Sequence, residues 1–179
     1  MKDTKAAEPY ANGFIDNFLP EDKQELLVEV RVLQKVLKAN PEISELLSSH
    51  VIKEKDKLNI LDPFSSESKF RDYWQNLILL LHEKNRLNLF NEIIYFLEDY
   101  ILRDLNTVKI TIKTAHELAG DVKEKLIKFL SDKVNKSVEP SFIVEPDVIG
   151  GFIAESDNFI VDSSVKRSLE QFRLSLIKM

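Results

Sequence analysis

Glu145 to Leu169 read EPDVIGGFIAESDNFIVDSSVKRSL, and Gly150 and Gly151 within this stretch are two of only four glycines in the 179 residues. A chain that rarely needs a residue without Cβ, yet sets two together between β-type runs, requires positive φ or close backbone approach at that point. The runs Gly150 to Glu155 and Phe159 to Val161 are joined by the turn dipeptide Asp157-Asn158, which predicts a β-hairpin. Asp162 to Ser164 then supplies capping residues for a closing helix, Val165 to Met179, with Val165, Leu169, Phe172 and Leu176 on one face. The glycine pair lacks the Lys and further glycines of a phosphate loop and follows Ile149 instead of opening a helix. Its role is structural.

Upstream, Val108, Ile110 and Ile112 alternate with Lys109, Thr111 and Lys113, a period of two that predicts a strand with one wet face. A helix over Asp121 to Asn135 and an extended run over Ser137 to Val144 follow. The order β-α-β-β-β-α over residues 106–179 predicts a small α+β domain.

Residues 1–105 instead repeat apolar side chains every three or four positions, with Pro, Asn, Asp and Ser at the breaks, and predict a six-helix bundle. The fold class is therefore α+β. The expected helices are Ala6 to Asn17, Glu21 to Ala39, Glu42 to Ser48, Lys53 to Leu61, one capped by Ser65 or Ser66 and reaching Glu83, and Arg86 to Leu105. In the first, Tyr10, Ala11, Phe14, Ile15 and Phe18 are apolar, and Pro9 is expected in the opening turn. In the fifth, Phe70, Trp74, Leu77 and Leu81 form a stripe, while Tyr73, Ile78, Leu79 and Leu80 spread apolar surface around the rest. A helix apolar on most sides must be covered on most sides. It is either the bundle's central helix, or the wall of a groove that another protein's helix fills.

Composition narrows the function. Net charge is −5, and residues 1–105 carry the whole acidic excess, with 14 basic and 19 acidic groups against 11 of each in residues 106–179. No Lys/Arg stripe is interleaved with aromatics, which argues against nucleic acid. The longest apolar run, Leu77 to Leu81, is far short of the roughly 20 residues a membrane span needs. No cysteine is present, and the start KDTKAAEPYANGF has no signal-peptide character, so a cytosolic protein without direct membrane insertion is expected. His50, His82 and His116 lie too far apart for helical metal pairs, Ser163-Ser164 lacks a nucleophile elbow, and Glu145, Asp147, Glu155 and Asp157 read as solvated turn acids. No catalytic residue, metal or cofactor is expected.

Three motifs together resemble the delta subunit of bacterial F-type ATP synthase, whose mitochondrial counterpart is the oligomycin sensitivity-conferring protein. Tyr10-Ala11 matches a Tyr-Ala pair in that family's first helix. Gln75 to Phe90, QNLILLLHEKNRLNLF, matches a stretch in which an Asn and Arg-Leu, here Asn85 and Arg86-Leu87, join the fifth and sixth helices. Asp147, Ile149, Gly150, Gly151, Val161, Asp162, Ser164, Val165 and Leu169 match its terminal pattern. The chain departs from it at Gly13, where Ala or another small helix former is usual, at Ser163, often Gly, and at Ser168, usually Arg.

The resemblance implies a non-catalytic stator of the proton-translocating ATP synthase. Its N-terminal bundle is expected to hold the N-terminal helix of the catalytic-head alpha subunit with the first and fifth helices, through Tyr10, Ala11, Phe14, Ile15, Phe70, Tyr73, Trp74, Leu77, Ile78 and Leu81. The C-terminal domain is expected to hold the b subunits of the peripheral stalk, and the protein to sit peripherally at the cytoplasmic face of the plasma membrane. Asn85, Arg86, Gly150, Gly151, Asp162, Ser164 and Leu169 are expected in structural roles.

Overall fold

A computed structural model describes residues 4–49, 52–66 and 68–177, and the chain divides between Leu105 and Asn106 into two compact units, each with its own core. The first unit consists of α1 (Thr4–Ile15), α2 (Lys23–Ala39), α3 (Pro41–Ser48), α4 (Glu54–Ser66), α5 (Arg71–Glu83), a 3-10 turn (Leu87–Leu89) and α6 (Phe90–Asp104). Its most buried helix is α6, which covers Phe90, Ile93, Ile94, Leu97, Ile101 and Leu102 against α1 and α2. Even Glu98 is buried there, where its carboxylate accepts a hydrogen bond from the Arg31 guanidinium of α2 at 3.0 Å. The central position thus belongs to α6, and α5 keeps Tyr73, Leu79 and Leu80 exposed.

Several helix limits differ from the sequence reading, each for a local reason. Pro9 lies inside α1 and not in its opening turn, because the helix reaches back to Thr4. The missing N–H at Pro9 leaves the carbonyl of exposed Lys5 to water. Ser65 and Ser66 do not cap α5: α4 continues through Pro63 to Ser66, and the Ser65 hydroxyl turns back onto the Asp62 carbonyl at 2.9 Å. Ser68 serves the turn instead, its hydroxyl accepting the Phe70 N–H at 2.8 Å, so α5 begins at Arg71 and Phe70 stands at its threshold.

With glycine so scarce, asparagines take the left-handed positions after helices. Asn85, Asn106 and Asn135 have φ of 52°, 50° and 53° and follow α5, α6 and the next helix, α7 (Gly120–Val134). Asn is the residue other than glycine that tolerates this region best, because its side chain bonds locally.

The second unit has β1 (Thr107–Thr114), α7, β2 (Ser137–Val144), a 3-10 turn (Pro146–Val148), β3 (Phe152–Ser156), β4 (Phe159–Asp162) and α8 (Val165–Ile177). The sheet order is β2-β1-β3-β4, with β2 parallel to β1 across the α7 connection and the other two pairings antiparallel. Pro140 is tolerated in β2 because β2 is an edge strand. The core is small: Ile110, Ile112, Leu130 and Ala154 are buried, with Leu126, Val138, Phe142 and Phe152 packed around them.

The glycine pair lies before β3, not within it, at a tight corner. The Gly150 N–H bonds the Val148 carbonyl at 2.7 Å, closing a three-residue γ-turn on Ile149, whose φ of 62° and ψ of −45° are strained for a β-branched residue. Gly151 follows at φ 79°, where an added Cβ would stand 2.3 Å from the Ser163 carbonyl oxygen. An added Cβ at Gly150 would press to 3.1 Å from the Val165 side chain. The pair thus lets the corner lie directly under the start of α8. There the Ser164 hydroxyl accepts the Arg167 N–H at 3.2 Å, a helix cap, and the Asp162 carboxylate accepts the Ser164 N–H at 2.9 Å.

Chemical or thermal unfolding of the full chain tests this corner. Gly151→Ala should destabilise the second unit by at least about 2 kcal/mol, whereas Ile149→Gly, relieving strain at a side chain that is 66% exposed, should stabilise it by about 1 kcal/mol. The Ser164 N–H bond, with help from Arg167, holds the Asp162 carboxyl below its ordinary value. A carboxyl depressed in the folded state stabilises it above the unfolded pKa and loses that contribution as pH falls through the folded one. Asp162→Asn should therefore lower the unfolding midpoint at neutral pH, with the gap to wild type closing below the usual carboxylate range. A gap that stays constant down to pH 2 would exclude the charge as its cause.

Candidate functional site

An apolar cleft opens between α1 and α5. Five rings join the two helices and their ends beside it: Phe14 meets Trp74 at 4.7 Å between centroids, and Phe18 meets Phe70 at 5.0 Å and Tyr73 at 4.7 Å. Tilted and edge-on pairs at these separations attract beyond the area they bury. The cleft is lined by Pro9, Tyr10, Gly13, Phe14 and Asn17 on the α1 side and by Tyr73, Asn76, Leu77 and Leu80 on α5.

The residues singled out from sequence divide into two groups. Tyr10, Phe14, Tyr73 and Leu77 line the cleft, whereas Ala11, Ile15, Phe70, Trp74, Ile78 and Leu81 lie buried in the core beside it. Pro9, Gly13, Asn17, Asn76 and Leu80 were missed. A signal for three of them exists, since Pro9, Gly13 and Asn17 recur every four residues on one face of the α1 segment. Nothing stands within 4 Å of a Cβ added at Gly13, so that position faces open space. The Asn17 amide donates to the Gly13 carbonyl at 2.7 Å and the Phe14 carbonyl at 3.3 Å, ending α1.

Trp74, 2% exposed, borders a different cleft with Val28, Val32 and Pro63, and its ring packs on Phe14, which lines the first. Its indole N–H donates to the Glu29 carboxylate at 3.1 Å. Glu29 also accepts the Ser68 hydroxyl at 2.6 Å and the Lys69 N–H at 3.0 Å. One carboxylate on α2 therefore holds both the turn before α5 and the ring in its first turns.

Asn85 and Arg86 end α5. With Asn85 left-handed, the Arg86 N–H bonds the Leu81 carbonyl at 2.7 Å and the Asn85 N–H bonds the His82 carbonyl at 2.9 Å, the paired pattern of a Schellman cap. The Arg86 side chain then reaches Tyr10 on α1, donating to its hydroxyl oxygen at 3.1 Å with the guanidinium 5.8 Å from the ring centre.

In the second unit, Gly150, Gly151, Asp162 and Ser164 meet at the corner beneath α8. Leu169 does not join them: with Val165 and Phe172 it forms an exposed apolar stripe along α8. Phe172 is 63% exposed. Glu145 and Glu155 both pair with the Lys113 ammonium, at 3.6 and 2.9 Å, and the hydrogen bond that Lys113 donates to Glu155 pushes the Lys113 pKa up. These acids act as a structural bridge between strands. Among the described residues no group of His, Asp and Glu could hold a metal ion, and no helix is long and apolar enough to cross a membrane. His50 lies outside the described residues.

The profile of the ATP synthase delta (OSCP) subunit family matches residues 6–176. An ATP synthase subunit delta from Gloeothece citriformis is 32% identical over 179 residues, spanning 95% of this chain and 93% of that protein. Those from Marinobacter nauticus and Rickettsia bellii are 27% and 24% identical, spanning 97% and 93% of this chain and 97% and 89% of theirs. A chain in the mitochondrial ATP synthase hexamer of Toxoplasma gondii shares the fold, with a TM-score of 0.66 at 15% identity over 96% of this chain and 97% of that one. A two-unit α+β fold that carries an open apolar cleft, with a family profile covering nearly all of it, leads to one assignment: the chain belongs to the ATP synthase delta (OSCP) subunit family.

Proposed function

We propose that this chain, a non-catalytic stator subunit of an ATP synthase, ties the catalytic head to the peripheral stalk through one surface on each unit. The first unit, a six-helix bundle over residues 1–105, takes the amphipathic N-terminal helix of the alpha subunit into the cleft between α1 and α5. The second unit, residues 106–179, holds the b subunits through α8. The chain thereby lies peripherally at the cytoplasmic face of the plasma membrane and resists the torque of the rotor.

The observation that carries the first contact is the position of Tyr73 and Leu80. Each is 41% exposed on a helix whose Trp74, Leu77, Ile78 and Leu81 close the core, and both face one cleft with Tyr10 and Leu77. A groove with apolar anchors on two walls is the form that receives an amphipathic helix. The second contact is supported by Val165, Leu169 and Phe172, an apolar stripe at helical spacing, with Lys166 and Arg173 exposed on the same helix to meet acidic groups. Two separate attachments strengthen each other through effective concentration, which suits a subunit under sustained torque.

Trp74 is the only tryptophan and packs on Phe14, a cleft residue, so its fluorescence should report occupancy of the cleft by an alpha N-terminal peptide. Leu80→Asp and Tyr73→Asp replace exposed side chains, and each should weaken that peptide at least about tenfold, about 1.4 kcal/mol, without unfolding the chain. Phe172→Asp should leave peptide affinity unchanged and abolish capture of the soluble b domain. Unchanged peptide affinity in both cleft variants would move the alpha contact elsewhere.

A further inference from the structure

We propose that Arg86 is a positioning residue for the α1–α5 cleft: it holds the Tyr10 ring in one orientation, so that the phenol is presented as a preset hydrogen-bond donor to the bound helix. The inference rests on the cleft being the partner site.

An exposed arginine in a loop between helices is ordinarily solvated and adds little. Arg86 differs because its backbone is fixed on both sides. The Schellman cap anchors its N–H, its carbonyl accepts the Leu89 N–H at 3.0 Å, and Leu87 next to it is buried. The side chain therefore departs from a rigid point and reaches a residue 76 positions earlier in the chain.

Two contacts meet at Tyr10, a hydrogen bond to the oxygen at 3.1 Å and the guanidinium lying 5.8 Å from the ring centre. Both suit a planar guanidinium more than an ammonium. An oxygen that accepts from Arg86 keeps its own hydrogen to donate elsewhere. Tyr10 packs against the core of the first unit, but Gly13, one turn on, has no side chain to wall the ring along the cleft, and Pro9 is exposed. Without Arg86 the ring would gain rotameric freedom that the partner helix must remove on binding, and affinity would fall by that cost.

The test uses the full chain with labelled tyrosine rings, followed by NMR, together with titration of the alpha N-terminal peptide against Trp74 fluorescence. Arg86→Ala should move the Tyr10 ring resonances while leaving Tyr95 and Tyr100 in place, and should weaken the peptide about threefold to tenfold. Arg86→Lys should show a smaller effect of both kinds. In a Tyr10→Leu background, Arg86→Ala should change affinity by less than about twofold, because the residue through which it acts is gone. The proposal is overturned if the Tyr10 resonances do not move, or if wild type binds and Arg86→Ala binds equally well. It is also overturned if the loss is undiminished in the Tyr10→Leu background, which would mean that Arg86 touches the peptide itself. A wild-type chain that binds no peptide refutes the cleft as partner site, and the ring resonances then decide separately whether Arg86 holds Tyr10.

Discussion

Everything the first unit presents depends on how closely α1 lies against α6. Ala7 and Ala11 on the packed face of α1 are fully buried, and residues this small let two helix backbones approach toward the short end of the 8–10 Å range. Held there, α1 can deliver Phe14 and, just past its end, Phe18 into the rings of α5, while the rest of its α5-facing side stays apart. The cleft is what remains between two helices that are both fastened chiefly to other partners: α1 to α6, and α5 to α4. A larger residue at position 7 or 11 would lift α1 and change the cleft without touching it.

The same division explains the apolar excess of α5. Trp74, Leu77, Ile78 and Leu81 complete the core, and Tyr73 and Leu80 stay open on the cleft. The Glu29 carboxylate, which lines a different cleft, secures the first turns of α5 by accepting three hydrogen bonds, including that of the Trp74 indole. Losing such a carboxylate would leave a nearly buried indole N–H without its acceptor, a cost of about 1–3 kcal/mol. Cleft wall and core are therefore adjacent faces of a single helix, kept distinct by what packs behind it.

The second unit solves a different problem with little core. Its sheet is covered on one face by α7, and its closing helix is carried on a corner too tight for side chains, with Gly151 beneath the Ser163 carbonyl and strain held at Ile149. The exposed stripe on α8 stands at this end of the chain. Separate placement of the two surfaces, one on each unit, matches a subunit whose work is to connect and not to react.

Much of this was legible in the residues. The change from a period of 3.6 to 2 at Thr107, the paired glycines, the hairpin turn at Asp157-Asn158 and the Ser164 cap are local matters of backbone geometry and alternation, which neighbours in sequence determine. Helix limits around Pro63 and Ser65 were not, because Ser68 competes for the same turn only once Glu29 on another helix is there to hold it. Nor could the sequence divide Tyr73 and Leu80 from Trp74 and Leu77. All four are apolar on one broad face, and only the placement of α1, α4 and α6 decides which of them water reaches. Arg86 and Tyr10 show the limit most plainly. Each sits in its own recognisable motif, but 76 residues separate them, and a contact of that kind exists only when the tertiary fold brings the end of one helix against the middle of another.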